Sequence, residues 1–146
     1  MRSFHVQEIL SATKGHFLQE GAESVFCGVS IDSRTLKEGE LLVALQGKRY
    51  NGHAFVREAV QKGAAGVLVS EKIDGISKRT SVIEVPDTLK ALGAIASHHR
   101  RKFSIPLIAV TGSNGKTTTK EMIAHILSGV GPVLKNEGTK NNQIGV

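Results

Sequence analysis

The sequence predicts an α/β fold in two parts, residues 1–103 and residues 104–146. Short apolar runs of strand length alternate with segments in which apolar residues recur at helical spacing. The pattern restarts near residues 102–106, where Ile105-Pro106 precedes a new apolar run. The chain has 146 residues, 40% of them hydrophobic and 22% charged. This balance is typical of a globular protein with one ordinary core or two small ones.

The first part opens with a short helix followed by two strands. Apolar patterning predicts a helix at Val6–Ala12 and strands at Val25–Ile31 and Glu40–Leu45. Cys27, the one cysteine of the chain, stands inside the first of these strands. It has no partner for a disulfide or a zinc site, so we expect a buried structural residue rather than a nucleophile.

The rest of the first part alternates between helix and strand. Apolar residues at helical spacing predict a helix over His53–Lys62, and two β-branched runs predict strands at Ala65–Val69 and Val82–Val85. Asp87 follows a proline and is a suitable N-cap for a helix that runs to about Arg101. At the start of its helix, His53 fits a capping or packing role better than acid-base catalysis.

The second part begins with one strand, a glycine-containing turn and one helix. Leu107–Val110 is a short apolar run of strand type, and apolar residues from Met122 to Leu127 mark one side of the helix that follows. A single strand-turn-helix unit cannot bury both faces of a parallel strand. We therefore expect a truncated chain, or one domain followed by the beginning of another.

Charge and composition narrow the classes of function. The net charge of +6 suits a protein that handles polyanions. Five Phe, one Tyr and no Trp leave few aromatics for base stacking, so a nucleic-acid-binding protein is the least favoured hypothesis. The first fifteen residues lack a long apolar stretch, which predicts a cytoplasmic protein without membrane insertion. The histidines do not have metal-ligand spacing.

The strongest local signal is a phosphate-binding loop between the predicted strand and helix of the second part. Two glycines allow tight turns in which backbone N–H groups face phosphate oxygens at the positive end of the helix. Lys116 would neutralise the β- and γ-phosphates of an ATP-like nucleotide, and the Thr117 hydroxyl would bind Mg²⁺. The predicted phosphate-binding residues are Gly112, Ser113, Asn114, Gly115, Lys116, Thr117 and Thr118.

This loop departs from the usual Walker A pattern. Only Ser113 and Asn114 separate its two glycines, whereas the usual loop has four residues there. The stretch Val110–Thr119 resembles the ATP-binding loop of the Mur ligases and of folylpolyglutamate synthetase, which use the shorter form. Three further stretches resemble the substrate-binding domain of Mur ligases, and the resemblance extends from about residue 20 to the end; they are Asp32–Arg34, Leu42–Gly47 with Asn51–Phe55, and Gly63–Ala65.

Two smaller features favour one member of this family. Lys120–Met122 and Asn141–Val146 are similar to the ligase that joins D-alanyl-D-alanine to UDP-N-acetylmuramoyl-tripeptide. The ligase that adds the third amino acid is the close alternative, because it shares the Asp-Ser-Arg stretch. The resemblance implies ATP-dependent amide formation through an acyl phosphate, with Mg²⁺ and with Lys116 as the catalytic residue. It also implies that downstream residues absent from these 146 are needed for turnover.

The resemblance further implies that the first part binds the uridine end of the long substrate. Hydroxyl, guanidinium and ammonium groups suit uracil and diphosphate. We therefore predict a site formed by Ser33, Arg34, Lys48, Arg49 and Tyr50, and we place Asn141 and Asn142 near the nucleotide or substrate. A hypothesis of another class stays open, in which the chain is a stand-alone module that binds a UDP ligand or a nucleotide without catalysis.

Overall fold

The computed structural model describes residues 3–47 and 50–136, and it divides the chain into two compact units. Unit 1 is Met1–Phe103 and unit 2 is Ser104–Val146. Within the described residues, no helix is both long enough and apolar enough to cross a membrane. The α/β prediction is confirmed, since strands and helices alternate along unit 1.

A five-stranded sheet forms the centre of unit 1, and four of its strands are parallel. The strand order is β2-β7-β6-β5-β4, with β2 antiparallel to β7 at one edge. The strands are β2 (His16–Gln19), β4 (Val29–Ser30), β5 (Leu41–Val43), β6 (Gly66–Val69) and β7 (Ser81–Glu84). A second sheet pairs β1 (Phe4–His5) with β3 (Val25–Phe26).

Helices cover both faces of the large sheet. On one face, α1 (Val6–Thr13) and α3 (Thr88–Arg100) pack on strand residues such as Val43 and Leu68. On the other face, α2 (Val56–Gln61) packs on the alternate strand residues, such as Val67. Successive side chains of a strand point to opposite faces, so β5 and β6 contribute to both clusters and are buried throughout.

Most predicted elements of unit 1 are present. The helices α1 and α3 match the predicted segments, and Asp87 caps α3 by accepting from the backbone N–H groups of Leu89 and Lys90, each at 3.0 Å. The helix predicted at His53–Lys62 begins as a 3₁₀ turn, Gly52–Phe55, before α2. Strand β2 was not predicted, because it is short and lies at the edge of the sheet, where Phe17 is only partly buried and Leu18 is exposed.

The predicted strand Val25–Ile31 is wrong as a single element. Its first two residues pair with β1 in the small sheet, whereas Val29–Ser30 pairs with β5 in the large sheet. The chain bends between them at Cys27, which is exposed and whose thiol lies 3.2 Å from the carbonyl oxygen of Glu38. The expectation of a buried cysteine is therefore also wrong, because this residue lies at the bend between two sheets.

Unit 2 contains the predicted helix but not the predicted strand. Helix α4 (Lys116–Ser128) follows the glycine-containing turn, whereas Leu107–Val110 has no regular structure. A strand is held by hydrogen bonds to a neighbour, and the described residues of unit 2 include no other strand to provide them. Within the described residues the apolar run therefore has no strand partner, and Leu107 is 77% exposed.

Candidate functional site

A cleft of 570 Å³ lies at the carboxyl ends of β4 and β5 in unit 1. Parallel strands present their carboxyl ends at one edge of a sheet, where the loops that follow them enclose ligand sites in α/β proteins. Two segments that directly follow β4 and β5, together with the start of α2, form the walls. The lining residues are Ile31, Asp32, Ser33, Arg34, Leu42, Val43, Ala44, Leu45, Tyr50, Gly52, Phe55 and Glu58.

Arg34 and Asp32 form a two-point ion pair at this cleft. The guanidinium donates from Nε to Asp32 Oδ1 at 2.9 Å and from Nη2 to Oδ2 at 2.6 Å. The backbone N–H of Arg34 also donates to Oδ1 at 2.9 Å, which forms a local turn. Hydrogen bonds from Arg34 lower the pKa of the Asp32 carboxyl from 3.8 to about 2. The predicted binding residue Arg34 thus lies in the cleft as a charged, oriented group.

Ser33, the second predicted binding residue, is buried beneath the cleft. Only 5% of the residue is exposed, and its hydroxyl donates to Glu58 Oε2 at 3.3 Å. Lys62 fixes the same segment, since its ammonium donates to the Ser33 carbonyl at 2.9 Å and to Glu58 at 2.7 Å. This network ties the segment after β4 to α2. The Ser33 hydroxyl therefore supports the shape of the cleft more than it presents a donor to a ligand.

The segment after β5 forms another wall, and we call its described residues, 46–47 and 50–52, the cleft loop. Gln46 bridges to Asn51, and the N–H of Gly47 donates to the carbonyl of Tyr50 at 2.8 Å. The predicted residue Tyr50 lines the cleft and is 76% exposed, which leaves its ring available to stack on a ligand. Lys48 and Arg49, also predicted here, lie outside the described residues.

Gly52 closes the cleft loop at a very short distance from β5. Its N–H donates to the Leu45 carbonyl at 2.8 Å, and a Cβ at this position would lie 2.7 Å from that same oxygen. Such a contact is with backbone and cannot be relieved by a side-chain rotation. Glycine at this position thus permits the close approach that joins the cleft loop to Leu45.

The phosphate-loop residues of unit 2 lie together at the start of α4. Gly112 and Gly115 have φ values of 146° and 76°, which favour glycine, and α4 begins at Lys116 directly after them. No side chain caps the amino end of α4. Thr117 and Thr118 are exposed in its first turn. Backbone N–H groups at an uncapped helix start are donors of the kind that phosphates bind.

Lys116 folds back over the loop that precedes it. Its ammonium donates to the carbonyl of Gly112 and, at 3.3 Å, to that of Ser113. Both acceptors lie within four residues of Lys116 in sequence. The ammonium can therefore exchange these carbonyls for phosphate oxygens without disturbing the helix. The exposed hydroxyl of Thr117 next to it suits a Mg²⁺ ion that also contacts phosphates. Asn141 and Asn142 lie outside the described residues, so their predicted proximity to the nucleotide stays a prediction.

Two features of the cleft were missed by the sequence reasoning. Glu58 lines the cleft, but a glutamate four residues before Lys62 on a helix is typical of an ordinary surface ion pair. The apolar wall from Leu45 and Phe55 belonged to a stretch that we had singled out only through its family resemblance. The position of Phe55 in the 3₁₀ turn, 44% exposed despite its size, could not be read from helical periodicity.

Two family descriptions match this chain. Residues 25–100 match the "Mur ligase family, catalytic domain", and residues 110–146 match the "Mur ligase middle domain". The first match contains the whole cleft of unit 1, and the second contains the phosphate loop and α4.

Curated relatives carry the names of two kinds of Mur ligase. The UDP-N-acetylmuramoyl-tripeptide–D-alanyl-D-alanine ligase of Synechocystis is 43% identical over 81% of this chain and 26% of its own length. The UDP-N-acetylmuramoyl-L-alanyl-D-glutamate–2,6-diaminopimelate ligase of Syntrophomonas wolfei is 37% identical over 88% of this chain and 27% of its own length. The chain therefore spans about a quarter of these relatives.

Solved structures agree with the fold. A crystal structure of MurF from Acinetobacter baumannii matches with a TM-score of 0.92 and 33% identity, over 99% of this chain and 32% of that protein. The MurF ligase of Thermotoga maritima in complex with ADP matches with a TM-score of 0.72 and 34% identity, over 80% of this chain and 27% of that one. Since one family description alone accounts for more than half of its residues, the chain belongs to the Mur ligase family.

Proposed function

We propose that this chain is the amino-terminal part of the ligase that joins D-alanyl-D-alanine to UDP-N-acetylmuramoyl-tripeptide. The observation that carries the proposal is the 43% identity, over 81% of the chain, to a relative with that name. The match in fold to MurF from Acinetobacter baumannii over 99% of the chain supports it. The chemistry of the two sites is consistent with this function, which we place in the cytoplasm.

In this proposal the cleft of unit 1 holds the uridine diphosphate end of the substrate. Arg34 provides a charged donor for phosphate, and Tyr50 provides a ring for the uracil. Lys48 and Arg49, which stand between Gly47 and Tyr50 in the sequence, would add positive charge. Binding the remote end of a long substrate supplies free energy that orients the reacting end far from the cleft.

The loop of unit 2 binds ATP in this proposal, and the Thermotoga maritima protein bound to ADP supports it. Amide groups from Gly112 to Thr118 hold the phosphates, and Lys116 exchanges its loop carbonyls for phosphate oxygens. The hydroxyl of Thr117 contributes to a Mg²⁺ site. A bound Mg²⁺ would neutralise charge on the β- and γ-phosphates.

The reaction that follows is an ATP-dependent amide synthesis. The terminal carboxylate of the tripeptide attacks the γ-phosphorus, ADP leaves, and an acyl phosphate forms. The amine of D-alanyl-D-alanine then attacks the acyl carbon, its nitrogen loses a proton, and phosphate leaves with the former C–O bond electrons. We expect no turnover from these 146 residues alone, because they span 26% to 32% of the matched relatives.

An NMR titration of this chain tests the assignment of both sites. UDP-N-acetylmuramoyl-tripeptide and UDP should shift the amide signals of Ser33, Arg34 and Tyr50, whereas Mg-ATP should shift those of Gly112 to Thr118. Silence of unit 1 with a response of unit 2 to ATP would leave the nucleotide loop intact and reject the uridine site. Phosphate release coupled to dipeptide addition by the 146 residues would contradict the expected inactivity.

The ligase that adds the third amino acid is the second candidate, and the 37% identity to the Syntrophomonas wolfei relative supports it. A uridine site cannot separate the two, because both named substrates begin with the same UDP-sugar. Mass spectrometry of the product does separate them, with the protein from the complete gene offered each UDP-peptide and each amino donor. Formation of a tripeptide product from the dipeptide precursor would favour this second candidate. A stand-alone binding module would be favoured if the complete gene ended at residue 146 and the encoded protein bound UDP without turnover.

A further inference from the structure

We propose that His53, as a neutral imidazole with its proton on Nδ1, is the positioning residue that holds the cleft loop in its ligand-binding shape. The inference rests on the proposed function, in that the ligand concerned is the uridine diphosphate group. His53 itself does not line the cleft. It lies directly behind the cleft loop, only one residue beyond Gly52, and just 6% of it is exposed.

Hydrogen bonds on both ring nitrogens define the protonation state of His53. The backbone N–H of Ser70 donates to Nε2 at 2.9 Å, so Nε2 must present a lone pair. On the other side, Nδ1 lies 2.7 Å from the side-chain oxygen of Asn51, which can only accept. The proton therefore resides on Nδ1, and the ring is neutral.

The ring is one link in a directed chain of hydrogen bonds. The Asn51 oxygen accepts from the ring and also from the backbone N–H of His53 at 3.0 Å, while its amide nitrogen donates to Glu71 at 3.2 Å. The chain thus starts at the N–H of Ser70 and returns to the neighbouring residue Glu71. It fastens the end of the cleft loop to the segment that follows β6. Because Asn51 also bridges to Gln46, the tether reaches both ends of the loop.

Protonation breaks this tether at one identifiable bond. An imidazolium carries a proton on Nε2, which would face the Ser70 N–H donor at 2.9 Å. The Ser70 hydroxyl, 3.4 Å from Nε2, could accept from the imidazolium through a longer contact, but the Ser70 N–H would still lose its acceptor. Burial lowers the pKa of His53 below its ordinary 6.5, and the Glu71 carboxylate, 3.7 Å from Nδ1, acts in the opposite direction. Within the described part of the chain, the Glu71 carboxylate is the charged group that acts on the ring.

The consequence is a cleft whose ligand affinity follows the protonation of a residue that never touches the ligand. As the pH falls through the pKa of His53, the cleft loop loses its anchor at Ser70, and the wall that carries Tyr50 moves. We expect binding to weaken about tenfold across this step, the effect of one buried hydrogen bond on a binding surface.

The test combines two readouts on the 146-residue chain. UDP-N-acetylglucosamine is the probe, because its phosphates are esterified and lack the second ionisation that a terminal phosphate has at about pH 6. Its affinity is measured by calorimetry from pH 7.5 downward. In parallel, NMR follows the ring signals of His53 and the amide signals of Gly47, Tyr50 and Gly52 without ligand. In the wild type, ring, loop and affinity should change with one common midpoint.

Two variants give opposite expectations. Glu71→Gln removes the charge that favours the imidazolium but keeps an acceptor for Asn51, so all three midpoints should move together to lower pH. His53→Gln is neutral at every pH, so the affinity step should disappear. The inference is overturned if His53 titrates while the loop amides stay still, or if His53→Gln keeps the wild-type step. If the probe fails to bind at any pH, the proposed uridine site is wrong, and the loop amides still decide the role of His53.

Discussion

The guanidinium of Arg34 binds the carboxylate of Asp32 through two hydrogen bonds, from Nε to Oδ1 at 2.9 Å and from Nη2 to Oδ2 at 2.6 Å. The two residues are separated by a single residue in sequence, so the pair forms locally, as part of the turn after β4. Within the described ranges, Asp32 is the side-chain partner of the guanidinium, so its other N–H donors can bind a ligand in the cleft. Asp32 thus orients a cation that would otherwise sample many rotamers.

Arg34→Lys should weaken UDP binding by about tenfold, since an ammonium cannot make the planar two-point contact that a guanidinium makes with phosphate. Stability should change little, because 83% of the Arg34 side chain is exposed. Calorimetric titration with UDP measures the affinity, and urea unfolding measures the stability. Arg79→Lys, on an exposed segment outside the cleft lining, is the matched control. Equal UDP affinities for wild type and Arg34→Lys would show that the Arg34 guanidinium makes no two-point contact with phosphate.

The pKa of the Asp32 carboxyl is a second measure of its ion pair with Arg34. Hydrogen bonds from Arg34 lower its pKa to about 2 in the folded chain, from 3.8. The pair therefore contributes its full stabilisation above pH 3.8 and loses it as the pH falls toward 2. Carboxyl ¹³C signals should titrate near pH 2 in the wild type and closer to 3.8 in Arg34→Met. A midpoint that stays at 2 in the variant would assign the shift to the backbone turn instead.

Ser33→Ala should lower the free energy of unfolding by about 0.5–1.5 kcal/mol, the net value of one hydrogen bond in a buried setting. The hydroxyl is buried and donates to Glu58, which keeps its partner Lys62 in the variant. Ser97→Ala is the control, because Ser97 is exposed on α3, where alanine favours the helix. Urea unfolding at neutral pH measures both. A Ser33→Ala variant as stable as the control would show that the hydroxyl contributes nothing to the free energy of unfolding.

The sequence predicts the elements that local patterning controls and fails where the result depends on distant pairing. Asp87 caps α3 as expected, because the cap needs only the next three residues. In contrast, the run Val25–Ile31 divides between two sheets at Cys27, because its first residues pair with β1 and its later residues pair with β5. Leu107–Val110 has strand composition but no neighbouring strand in the described residues.

The candidate sites show the same division. The turn before α4 was predictable residue by residue, because its glycines, Lys116 and the following helix are contiguous in sequence, whereas phosphate binding by these residues stays a prediction. The cleft required three separate segments to meet, and only its family resemblance identified Arg34 and Tyr50 in advance. Glu58 gave no signal, because its role depends on the packing of α2 beside the segment after β4.

Lys116→Ala should abolish detectable binding of Mg-ATP while leaving α4 intact. Among the residues that the structure describes, the ammonium donates to carbonyls of its own turn, so its loss removes a phosphate partner while these residues keep their tertiary contacts. NMR titration with Mg-ATP measures binding, and the amide shifts of Thr119 to Ser128 report the helix. Lys120→Ala removes the same charge one turn further along and should keep the affinity within about twofold. Similar losses in both variants would indicate nonspecific attraction by net charge.

Two glycine-to-alanine changes should have opposite effects on unit 1. In Gly52→Ala the new Cβ would lie 2.7 Å from the Leu45 carbonyl oxygen and 2.8 Å from its nitrogen, so the cleft loop must shift. We expect a loss of about 1–3 kcal/mol in the free energy of unfolding, as for overpacking elsewhere, together with weaker UDP binding. In Gly93→Ala, in the middle of α3, the Cβ meets nothing within 4 Å and should stabilise by about 0.5–1 kcal/mol. Chemical denaturation compares the two, and a Gly52→Ala variant with native stability and affinity would show that the cleft loop tolerates displacement from Leu45.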